Sequence, residues 1–105
     1  MKNIDYFKLQ AKNLYHDFQL DFMQEGDTYV INSRFFNVNA VVNDFDIQPE
    51  QFTLMKAQHV IALIVGMSSW KELIEAPKDV LEQKKVVLNT SDYKLHRQKV
   101  YNFIF

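Results

Sequence analysis

The chain contains no cysteine and only two glycines and two prolines in 105 residues. Without cysteine there is neither a disulfide framework nor a thiolate nucleophile or metal ligand, and the stapled architecture of small secreted domains is excluded. With so few glycines and prolines, each one marks a boundary: Gly26 and Gly66, Pro49 and Pro77. Long apolar runs are absent as well. The run at residues 60–65 falls far short of the roughly 20 residues needed to cross a bilayer, and residues 1–20 lack the apolar segment of a secretory signal. No membrane span is expected, and the cytoplasm of a bacterial host is the expected location. No block of five or more like charges exists, so a polyionic tail is also excluded.

What remains is rich in aromatics, with nine Phe, five Tyr and one Trp, and 48% of the residues are hydrophobic. Those proportions suit one aromatic core, and 105 residues are enough to bury well over half of the unfolded surface in a single domain. The net charge is −1 but unevenly spread. Residues 1–50 carry four basic and eight acidic side chains, residues 51–105 eight basic and five acidic. Such polarity can steer a partner or simply form two solvated faces.

Residues 53–74 carry the strongest local signals. Thr53 can cap a helix over residues 54–65 by accepting a backbone N–H, and Gly66 suits the left-handed position just beyond its end. Ser69 and Glu72 have the S-x-x-E spacing of a capping box, with Trp70, Leu73 and Ile74 on one apolar face behind it. The first of these helices is apolar nearly all round, so it is expected at the centre of the domain, surrounded by other elements.

Phe7, Ala11, Leu14 and Phe18 predict an amphipathic helix over residues 3–20. Tyr29-Val30-Ile31 reads as loop or minor hairpin. Asn37 can cap a short helix that turns Val38, Val41, Val42 and Phe45 inward, and Pro49 ends it. Pro77 suits the first turn of a further helix with Val80, Leu81, Lys84, Val87 and Leu88 on its stripe, and Ser91 can cap another before an apolar tail that is expected to dock. The expected fold is an all-α, compact single-domain bundle of five or six helices around a central apolar helix. Its core residues are Phe7, Leu14, Phe18, Ile61, Ile64, Gly66, Trp70 and Leu73.

Chemistry-bearing patterns are sparse. His16, His59 and His96 fall on three predicted helices without the spacing that puts metal ligands on one face. The series Asp44, Asp46, Gln48, Glu50 begins like a calcium loop but fails, with Pro49 where the turn needs glycine and Met55 where it needs a bidentate acid. No glycine-rich phosphate loop is present, and no serine has a base at a diagnostic spacing. No catalytic residue, metal or cofactor is therefore expected.

Two binding surfaces are candidates. The acidic one comprises Asp17, Asp21, Glu25 and Asp27, suited to a basic groove on a protein or nucleoprotein partner. The basic-aromatic one comprises Lys84, Lys85, Lys94, Arg97 and Lys99 with Tyr93 and Tyr101, suited to RNA through phosphate neutralisation and base stacking. A DNA-reading helix-turn-helix fits less well, because the helix after Gly66 carries Lys71, Glu72 and Glu75 and would repel phosphate.

Gln10-Ala11-Lys12-Asn13-Leu14, Ala57-Gln58-His59-Val60-Ile61-Ala62, Gly66-Met67 and Trp70-Lys71-Glu72-Leu73-Ile74 together resemble small bacterial and phage-associated helical proteins. The pattern looks most like the helical domain of glyoxalase-related, antitoxin-like proteins. Met67 stands where an aromatic commonly follows the glycine, and residues beyond 76 lie outside the resemblance. It implies a non-enzymatic protein that neutralises or regulates a partner, as an antitoxin or an anti-CRISPR-type inhibitor of a host defence complex does. It transfers no functional residue.

Overall fold

In a computed structural model of the chain, residues 2–19 and 35–95 are described. They form α1 (Asn3–Phe18), α2 (Val38–Phe45), α3 (Leu54–Ile64), α4 (Trp70–Ile74) and α5 (Lys78–Asn89), with a 3-10 turn at Pro49–Gln51 ahead of α3. The fold is all-α. Among the described residues the β-type pairing is one isolated antiparallel bridge between Phe36 and Lys94. The expected loop or hairpin at residues 29–31 and the expected docked tail lie outside the described residues.

The helix boundaries follow from the caps. Asn37 accepts the Ala40 N–H and opens α2, and Thr53 accepts the Lys56 N–H at 3.2 Å and opens α3. At the other end of α3, Gly66 takes φ +87°. Its N–H reaches the Leu63 carbonyl while the Met67 N–H reaches that of Ala62, the paired bonds of a Schellman turn. Ser69 opens α4 by accepting the Glu72 N–H at 3.0 Å. The expected reciprocal bond is displaced by one residue: the Glu72 carboxylate accepts from the N–H and hydroxyl of Ser68, not from the Ser69 N–H. Ser91 does not open another helix in this region. Its hydroxyl donates to the Leu88 carbonyl and closes α5, and residues 93–95 then pair with 35–37.

The apolar stripe of α1 is buried through Phe7, Ala11, Leu14 and Phe18, and packs most extensively on Ala57, Val60, Ile61 and Ala62 of α3. Val65, Leu73, Leu81, Leu88, Val38, Val41, Phe36 and Phe52 complete the core. Each large apolar side chain so buried contributes about 1.5–3 kcal/mol relative to exposure. Of the expected core, Ile64 and Trp70 are only partly buried at its margin, and Gly66 is exposed. Gly66 acts through its backbone, because the left-handed conformation that ends α3 is accessible to glycine without strain.

The directions of the helices follow from their contacts. Asn3 meets Lys85, Tyr6 meets Asn89 and Gln10 meets Lys94, so α1 and the α5 segment run parallel. Phe52, at the entrance to α3, stacks on Phe18 and lies beside Tyr15 at the far end of α1, so α1 and α3 are antiparallel. Hence α3 and α5 are antiparallel too.

Candidate functional site

The acidic surface loses its first member to the interior. Asp17 has 0% exposure, and its Oδ2 accepts the Phe35 and Phe36 N–H groups at 2.6 and 2.8 Å. The physical reason is position: Gln10 and Asp17 are seven residues apart on α1, two turns along the same face, at the edge of the apolar stripe. That face meets the 35–37 segment, whose backbone donors need acceptors. Asp17 is thus a structural anchor, a correction to its place on a solvent-facing surface. Asp21, Glu25 and Asp27 lie outside the described residues.

The basic-aromatic group is also internally engaged. Lys94 Nζ donates to the buried Gln10 Oε1 at 2.6 Å and sits 4.8 Å from the centroid of the Phe36 ring. Burial holds its pKa below the usual lysine value, opposed by the charge of Asp17. Lys85 Nζ donates to Asn3 Oδ1, lies 3.5 Å from Glu82 and stands over the Tyr6 ring. Burial also raises the Tyr6 pKa, against the lowering effect of its bond to Asn89. Tyr93 donates to Asp44 at 2.6 Å, the main cause of its raised pKa, and its ring packs on Phe45. Lys85 and Lys94 are thus bonded to α1 and Tyr93 to Asp44 of α2, so the polar ends of all three have partners within the chain. Arg97, Lys99 and Tyr101 lie outside the described residues.

A different surface emerges on α3. Met55 is 79% exposed and Leu63 36%, with His59 exposed between them; the spacing of four residues aligns all three on one side of the helix. Among the described residues, the helix expected to be surrounded is covered by α1, α4 and α5 on its Ala57, Val60, Ile61, Ala62 and Val65 side. At the end of this stripe the Lys84 ammonium lies close to Gly66, 3.7 Å from where a Cβ would stand. Val87, one turn on from Lys84 on the same face of α5, is 41% exposed. Since α3 and α5 run antiparallel, stepping back from Gly66 to Leu63 keeps pace with stepping forward from Lys84 to Val87. Leu63 and Val87 therefore stand at matching heights on the two helices, whereas Met55, eight residues back on α3, falls beyond the level of Asn89, where α5 ends.

Residues 53–71 contain Lys56 and Lys71 and no acid, and Glu72, Asp79 and Glu82 follow on α4 and α5. Glu72, whose charge reaches Lys84, commits its carboxylate to Ser68, and those bonds hold its pKa below the usual glutamate value. Lys56 also occupies the third position of α3, where the positive end of the helix dipole disfavours a cation. A charge in a locally unfavourable place on an exposed apolar stripe is a signal that propensity and core packing do not account for.

Another open feature among the described residues is a depression between the first turns of α1 and α5, lined by Lys2, Asn3, Ile4, Lys78, Leu81 and Glu82. Among the described residues, no three His, Asp or Glu side chains converge as a metal site, and no helix is long and apolar enough to cross a membrane. In comparisons with known proteins, no family model, curated sequence or solved structure matches the chain.

Proposed function

We propose that this chain is a non-enzymatic interaction protein that binds a macromolecular partner, a protein in preference to RNA, and regulates or neutralises it. The observation that carries this reading is the stripe of Met55, His59 and Leu63, exposed among the described residues on the apolar helix α3. Apolar side chains aligned on one helix, with the Lys56 cation beside them, suit contact with another folded or folding chain. The internal engagement of Lys85, Tyr93 and Lys94 weighs against RNA, which requires free cations and exposed rings together. The antitoxin-like or anti-CRISPR-type role is the finer form of this proposal and rests on the resemblance of the helical pattern.

A photo-crosslinking residue placed at Met55 or His59, with exposed Lys12 of α1 as control, tests it in cells of the native host. Protein adducts that resist ribonuclease and form from α3 but not from Lys12 are expected. Ribonuclease-sensitive adducts, or equal labelling from α1 and α3, would overturn the reading.

A further inference from the structure

We draw no further inference here: the strongest candidate, the depression between the first turns of α1 and α5 with Lys2 and Lys78 beside two helix N-termini that lack a side-chain cap, rests on those termini alone, and among the described residues no second feature points to a ligand there.

Discussion

Replacing Asp17 tests how the two ends of the described structure are held on α1. The carboxylate accepts the N–H of Phe36, which is buried, and that of Phe35, which is half-buried. Charge-assisted hydrogen bonds contribute about 1.5–3 kcal/mol each, but water can reach the Phe35 donor and recover part of its bond, so Asp17→Ala should cost about 3–5 kcal/mol in all. Against a typical total stability of about 5–15 kcal/mol that loss is large enough to shift a urea midpoint strongly. Asp17→Asn retains an oxygen acceptor without the charge and should cost about 1–3 kcal/mol, placing it between the parent and the alanine variant. Amide exchange adds a local readout. The Asn37 N–H donates to the Tyr93 carbonyl and the Leu95 N–H to that of Phe35, so losing the anchor should deprotect residues 35, 36, 37 and 95 together. An alanine variant that unfolds at the parental urea concentration, or that keeps those four amides protected, would refute the anchoring role.

Three further perturbations probe the helix ends. Lys56→Glu should stabilise the free protein by about 0.3–1 kcal/mol, raising Tm by roughly 1–6 °C, because an acid replaces a cation at the positive end of α3; an unchanged or lower Tm by calorimetry would count against it. Gly66→Ala should cost about 1–2 kcal/mol in a denaturant titration, since the added Cβ has room beside Lys84 but the left-handed backbone disfavours it. Parental stability in that variant would show that the Schellman turn does not need glycine. The folded pKa of Glu72 is below its ordinary value of 4.5, so its stabilising effect is present above pH 4.5 and is lost as pH falls through the folded value. The melting difference between the parent and Glu72→Gln should therefore shrink on acidification; a difference that grows below pH 4.5 would reverse the sign of the linkage.

Local chemistry was legible in the sequence, and long-range chemistry was not. Asn37, Thr53, Ser69 and Gly66 each act within four residues of their partners, so spacing alone identified three caps and the end of α3. The stripe of Phe7, Ala11, Leu14 and Phe18 was legible for the same reason, because helical periodicity records burial directly. Asp17 was misread because a carboxylate in an isolated helix belongs to solvent, and the donors that justify its burial lie 18 and 19 residues further on. Lys94 and Tyr93 were misread likewise, since Gln10 and Asp44 are distant in sequence. The exposed stripe of α3 was missed because an apolar composition does not state how many neighbours a helix has. Its available signal was the four-residue spacing of Met55, His59 and Leu63.

A glutamate at position 56 would complete the cap that Thr53 begins. That change would leave untouched the buried side of α3, where Ala57, Val60, Ile61 and Ala62 meet the core. Stability should therefore rise on Lys56→Glu, an exchange at an exposed helix end, and fall on Asp17→Ala, which removes a buried acceptor that serves two backbone N–H donors.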